Sequence, residues 1–238
     1  MDMGETTRLA TDENSAREFI EECLNEQAVE QIAYVMERCK SKVGIVAVLE
    51  ASSDPGKHKA AMYVRFFLEK FAEVTNMVQV SIYERDENPE IETKIDTEYY
   101  PAIALFAEDG EYSGVCFHGF PGGHELEAFI LAIYNLAGPG QPLAGELKER
   151  ISALNSLLNL KICVSLSCNV CPELVEAGNR FAILNPMITT EVFDLECFTE
   201  LFDRFDIPSV PAMIINNNEV LFGRRGIKEL LEALEQRR

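Results

Sequence analysis

The sequence predicts an α/β protein built from two successive units of one design, each a mixed central sheet flanked by helices, with a helical extension ahead of them. Three observations carry this. Continuous β-branched apolar runs alternate with stretches of helical period. The same order of elements is traversed twice between residues 43 and 234. Each traverse opens its hairpin strand with an X-Pro pair, Tyr100-Pro101-Ala102-Ile103 in the first and Val210-Pro211-Ala212-Met213 in the second. A proline at the start of a strand gives up a ladder donor, so its repeat at matching places points to an inherited backbone feature. The expected bounds are 1–40 for the extension, 41–140 for the first unit and 141–238 for the second.

In the extension, Phe19, Ile20, Cys23, Leu24, Ile32, Val35, Met36 and Cys39 recur at spacings of three and four, which is helical. The period then changes. Residues 43–49 (VGIVAVL) read as a strand buried on both faces. The turn-rich 50–56 follows, then a helix over 57–74 and an alternating strand over 77–83. A polar loop leads to strands 102–106 and 112–117, joined across Asp109-Gly110, a strong hairpin signal. A helix over 124–136 closes the unit. After the break at 138–142 a short helix is expected over 145–157. The second unit then runs strand 160–166, helix 170–184, strand 188–193, helix 198–205, hairpin strands 212–215 and 219–222, and helix 228–234.

Apolar residues make up 47% of the 238, ample for packed cores, and no apolar run is long enough to span a bilayer. The acidic, polar first twenty residues do not resemble a secretory signal, so a cytoplasmic protein is expected. A net charge of −19 argues against nucleic acid or an anionic membrane as partner. Seven irregularly spaced cysteines do not make a secreted disulfide scaffold.

One pair stands apart. Cys168 and Cys171, in Ser165-Leu-Ser-Cys168-Asn-Val-Cys171-Pro-Glu, fall where a buried strand passes into a helix. Cys168 is expected at or next to the helix N-cap and Cys171 in the first turn, where free N–H groups and the helix dipole favour a thiolate. Three residues of helix bring the two sulfurs together, and Pro172 suits a first turn because its missing N–H costs little there. Cys168 is then the exposed nucleophile, and Cys171 resolves the mixed disulfide. A lone CxxC is equally half a zinc site, with Cys163 and Cys197 to complete it. Cys163 is embedded in a strand, however, and there is no second CxxC, so a redox pair is expected and no metal. In a thioredoxin-like fold the Val210-Pro211 bond is cis and lies beside the dithiol, leaving the Val210 backbone free to pair with an extended substrate. The matching place in the first unit, Glu50-Ala-Ser-Ser-Asp-Pro55, has no cysteine.

The pattern LSCNVCPELVEAGNRFAILNP, with DRFDIPSVPAMIINNNEVLFGRRGIKELLEAL after it, resembles the N-terminal domain of the alkyl hydroperoxide reductase flavoprotein subunit. Phe117-His-Gly-Phe-Pro-Gly-Gly-His-Glu125 adds to the likeness, which covers about residues 40–236. Glutaredoxin-like protein disulfide oxidoreductases share the architecture. The resemblance implies two tandem thioredoxin-like folds with a CxxC in the second only. It also implies a relay from a flavoprotein dithiol to a peroxiredoxin disulfide, with Cys168 attacking, Cys171 resolving and Pro211 the cis-proline. That family continues into flavin and nicotinamide domains, and this sequence holds no GxGxxG, so a separate thioredoxin-reductase-like flavoprotein is the expected donor, the alternative being that the sequence is a fragment of a longer flavoprotein. The redox-active disulfide is the only prosthetic chemistry expected, with no bound cofactor. A general protein disulfide reductase or isomerase is the alternative, and a non-catalytic scaffold a third; a homodimer is left open.

Other residues carry less. Ile162 stands where thioredoxins often bury an acid, leaving Glu50 and Glu98 of the first unit as candidates for that task. His124 is expected to cap a helix, Cys116 and Cys197 to fill core, and Gly223-Arg-Arg-Gly226 to form a turn rather than an anion site.

Overall fold

The computed structural model describes residues 3–95 and 97–237. Helices α1 (Met3–Cys23) and α2 (Glu26–Met36) precede β1 (Val43–Leu49), α3 (Pro55–Val74), β2 (Val78–Glu84), α4 (Pro89–Ile95), β3 (Ala102–Phe106), β4 (Tyr112–His118) and α5 (Glu125–Ala137). The second half runs α6 (Gly145–Ser152), β5 (Leu158–Val164), α7 (Cys171–Leu184), β6 (Ile188–Asp194), α8 (Thr199–Phe205), β7 (Ala212–Ile215), β8 (Glu219–Phe222) and α9 (Ile227–Glu235). The α/β class and the mixed, helix-flanked sheet expected from the sequence are present.

All eight strands form one sheet in the order β2-β1-β3-β4-β6-β5-β7-β8. Each half contributes four in the same internal order, and the halves join through the parallel pair β4–β6. β1 and β5 run in the same direction, so both strand-to-helix turns and both X-Pro pairs fall at one edge of the sheet. β1 reads as an unbroken apolar run because both its faces are covered. Val43, Ile45 and Ala47 enter the main core with Phe67, Phe71 and Phe129, whereas Val46 and Val48 pack with Ile95 of α4 on the other side. On that second face α8 covers the other half, with Leu201 against Cys163, Phe193 and Ile214.

Between these two smaller clusters lies a buried charge network that stitches the halves together. Glu191 of β6 accepts from Lys161 of β5 and Asn159 on one oxygen, and from His118 of β4 (2.9 Å) and Thr97 on the other. Burial alone pushes the Glu191 carboxyl up, but the His118 bond and the nearby cations outweigh it and hold the group ionised far below the usual carboxylate range. Removing one partner would strand the others in a dry seam.

Three expectations need correction. The polar loop after β2 contains α4, which has no apolar stripe to betray it because it buries a single side chain, Ile95. The helix expected over 145–157 stops at Ser152: the buried Asn185 amide donates to the carbonyls of Ile151 and Leu154 (2.8 Å each) and closes its last turn, leaving Leu157 exposed. The strand expected over 160–166 is Leu158–Val164, its register set by β6 from Leu158 opposite Ile188 to Val164 opposite Asp194.

Candidate active site

β5 delivers the chain to the sheet edge at Val164, and a tight turn follows in which the Cys168 N–H donates to the Ser165 carbonyl (2.9 Å). α7 begins at Cys171 with Pro172 in its first turn. Val170, not Cys168, is the N-cap residue, and it makes no side-chain capping bond. Cys168 therefore sits two residues ahead of the N-cap rather than at or next to it, because its own turn consumes residues 165–168 before the helix can start. The two cysteines are joined as a disulfide, with S–S 2.14 Å and Cα atoms 5.6 Å apart. Cys171 is completely buried, Cys168 is half-buried, and Val170 between them is 39% exposed.

The Val210-Pro211 bond is cis, as is Tyr100-Pro101 in the first half. β7 pairs antiparallel with β5 with Ala212 opposite Cys163. The same register carried outward sets Pro211 and Val210 alongside Val164 and Ser165, at the mouth of the dithiol turn. The remaining thiols are poor nucleophiles. Burial pushes Cys163 up to about 12 and Cys116 well above the usual range. Burial and then the Asp194 carboxylate push Cys197 up to about 12. Among the described residues no group of three or more His, Cys, Asp or Glu side chains is placed to hold a metal. Arg224 is bound to Glu173 (2.8 Å) and Arg225 to the carbonyls of Phe222 and Gly223, so 223–226 is a turn whose cations are already engaged.

A buried acid that the sequence reading missed enters from the other half. Ile162 is core, Glu50 is tied to Arg85, and Glu98 is exposed. Glu125, the first residue of α5, is instead 1% exposed with both carboxyl oxygens unpartnered. Burial, then the charges of Glu176 and Asp194, push it up to about 8. Those two acids locate it. Glu176 belongs to α7, the helix that Cys171 starts, and Asp194 lies opposite Val164 at the end of β5. The residue before it agrees with this placement, since the His124 N–H donates to the Leu166 carbonyl (3.1 Å), two residues from Cys168. His124 occupies the N-cap position of α5 but makes no side-chain capping bond, contrary to expectation. A signal for Glu125 did exist: it shares a helical stripe with Ala128, Phe129, Ala132 and Ile133, all buried. An acid on that stripe has nowhere to go but inward.

A disulfide with one sulfur fully buried and the other half-accessible, next to a cis X-Pro bond, is an arrangement that can exchange disulfides. Comparison with known proteins points the same way. Residues 158–236 match a thioredoxin domain family. The chain is similar to the NTD_N/C domain of the alkylhydroperoxide reductase AhpF of Enterococcus faecalis V583, at 33% identity and TM-score 0.82, covering 88% of this chain and 99% of that one. It belongs to the family of AhpF N-terminal domains. The full-length alkyl hydroperoxide reductase AhpF of Staphylococcus aureus (strain NCTC 8325 / PS 47) is 34% identical over 125 residues, 52% of this chain and 24% of that protein, so the match spans about a quarter of the curated relative. A protein disulfide oxidoreductase of Aeropyrum pernix K1, at 21% identity and TM-score 0.75 over 89% of this chain and 92% of that one, shares the fold. The AhpF-type fold seen here is thus a tandem pair of thioredoxin folds fused through one sheet, and the likeness supports thiol–disulfide oxidoreductase activity.

Proposed function

We propose that this AhpF-type domain is a dithiol–disulfide oxidoreductase that accepts electrons from a thioredoxin-reductase-like flavoprotein and passes them to the disulfide of a peroxiredoxin in the cytoplasm. The observation that carries the proposal is the asymmetry of the disulfide: one sulfur fully buried, the other reachable. In the reduced domain the Cys168 thiolate attacks one sulfur of the acceptor disulfide, and the other acceptor sulfur leaves as a thiolate. Cys171 then gives its proton to the Glu125 carboxylate and attacks the Cys168 sulfur, which releases the acceptor's second thiol and restores the Cys168–Cys171 disulfide. A flavoprotein dithiol reverses these two steps to reload the pair. Val210 and Pro211 bound the groove in which the acceptor strand lies, and residues 41–140 serve the dithiol-bearing 141–238 as a supporting unit. No cofactor beyond the disulfide enters the cycle.

The dithiol should be a reductant, with a potential in the thioredoxin range of about −270 mV rather than the isomerase range of about −180 mV. Asn169 and Val170 put no cation between the sulfurs, and Arg224 is paired with Glu173 of α7, the helix that Cys171 begins. The test mixes the domain with a flavoenzyme of that class, a peroxiredoxin, peroxide and NAD(P)H. Nicotinamide oxidation should require the domain, vanish in Cys168→Ser, and give way to a trapped mixed disulfide in Cys171→Ser. Full turnover by either single variant sinks the dithiol mechanism. A potential above about −200 mV, with reshuffling of scrambled disulfides and no peroxiredoxin turnover, transfers the assignment to a disulfide isomerase.

A further inference from the structure

The loop between β4 and α5, residues 119–124, belongs to the half without a dithiol, yet it presses directly on the turn that carries Cys168. The contact is backbone to backbone. Besides the His124 N–H bond to Leu166, Gly123 adopts φ +55, and a Cβ placed there would lie 2.4 Å from the Leu166 carbonyl oxygen. Nothing larger than glycine fits against that oxygen, and a side chain would also be strained at this φ. The Leu166 carbonyl is thereby held within a turn whose next bond, Cys168 N–H to Ser165, places the attacking sulfur.

The loop is itself braced from behind. Phe120 folds over Gly122 so closely that a Cβ there would meet the ring at 2.0 Å. The Phe120 ring then makes edge contacts with Phe67 (5.3 Å between centroids), Tyr63 (5.8 Å) and Phe19 (5.9 Å). Phe19 belongs to α1, and its ring stacks on Tyr63 at 4.8 Å and 18°. It stays 37% exposed, so its stacking rather than its burial is what it contributes. A continuous line of contacts thus runs from the N-terminal extension, through Phe19, Tyr63 and Phe120, to Gly123, Leu166 and Cys168. The loop's next residue is Glu125, so a shift of the clamp would displace the acid together with the thiol.

We propose that the Phe120–Gly123 loop is a clamp on the Leu166 carbonyl that sets the position of the Cys168 thiol, and that Phe19 of the N-terminal helix is its outer brace. Phe19, Phe120 and Gly123 are positioning residues: none touches a reacting atom. The inference rests on the dithiol assignment made above, and it gives the extension a task in the redox cycle.

The test compares wild type with Gly123→Ala, Phe19→Ala and Phe19→Tyr as full chains. Three quantities are read: the dithiol–disulfide equilibrium against dithiothreitol, the pH profile of Cys168 alkylation, and thermal unfolding. Gly123→Ala should move the equilibrium at least tenfold, about 30 mV for a two-electron couple, and shift the alkylation profile. Phe19→Ala should move both in the same direction, roughly threefold, and Phe19→Tyr, which keeps the stack, should restore them. Variants that melt earlier but keep the wild-type equilibrium and pH profile within twofold overturn the proposal and leave the loop a merely structural element. If Gly123→Ala does not fold, the Phe19 pair decides by the same criterion. A wild-type chain that fails to titrate as a dithiol at all strikes the functional assignment rather than the clamp.

Discussion

The two halves of this domain started from one plan and now differ most where they should be most alike, at the turn from the first strand into the following helix. Counted back from the proline in each first turn, Ala51 and Asp54 stand where the other half has Cys168 and Cys171. Asp54 has become a helix cap, accepting from the Lys57 N–H (2.9 Å) at the start of α3. Arg85 pairs with Glu50, the residue before Ala51, and lies 5.1 Å from the centre of the Tyr100 ring beside its own cis-proline. The start of α3 then serves as a seam, where Lys57 binds Glu200 (2.7 Å) and reaches over Phe198 of the other half. In the second half the equivalent turn keeps no capping side chain and leaves Val170 exposed. One helix start carries a side-chain cap, and the other, which bears the disulfide, does without one.

The division of labour runs deeper than loss on one side. The dithiol half has only Ile162 where an acid would help, and the first half buries an unpartnered acid, Glu125, which the proposed cycle uses. The continuous sheet through β4–β6, held by the buried Glu191 network, fixes the half that carries Glu125 against the half that carries the disulfide.

This comparison breaks if the emptied site can simply be refilled. With Ala51→Cys and Asp54→Cys introduced into a Cys168→Ser background, reductase activity should stay below about one-hundredth of wild type, because Asp54→Cys removes the cap of α3 and the neighbouring Glu50 is held by Arg85. Steady-state disulfide reduction measures this, and recovery to even a tenth of wild type would show that cysteines alone separate the halves. Next in size, Glu125→Gln should slow turnover roughly tenfold to a hundredfold and remove the limb of the pH–rate profile near pH 8. Its effect on stability has a definite sign. Glu125 has a folded value raised from 4.5 to about 8, so its protonated form stabilises the fold fully below pH 4.5 and that stabilisation is lost as pH climbs through 8. The glutamine variant escapes the loss, and at pH 9 denaturant melts should find it more stable than wild type, on the order of a few kcal/mol. A variant with the wild-type pH profile would deny Glu125 its proton-transfer role. The smallest effect sharpens the contrast. Asp54→Ala should cost about 1 kcal/mol by denaturant titration while leaving dithiol exchange unchanged. A change in exchange rate would mean that the first half's helix start still communicates with the second's.

Much of this is legible in the amino-acid sequence itself. The apolar runs of β1 and β5, the helical stripes and the duplicated X-Pro pairs report on each residue's own element, and such local periodicities survive in sequence. The spacing of Cys168 and Cys171 and the identity of Pro211 are local too, so the disulfide and the cis bond at Pro211 are legible in the sequence. Helix α4 escaped because a seven-residue helix that buries one side chain has no period to read. What the tertiary structure alone decided is everything that joins distant segments. It put Glu125 in the core between the halves, fastened His124 and Gly123 to Leu166, ran one sheet through β4 and β6, and laid Phe19 against Phe120. These are juxtapositions of residues tens or more positions apart, produced by close packing of whole elements, and no pattern within a single element encodes which partner an inward-facing side chain will meet.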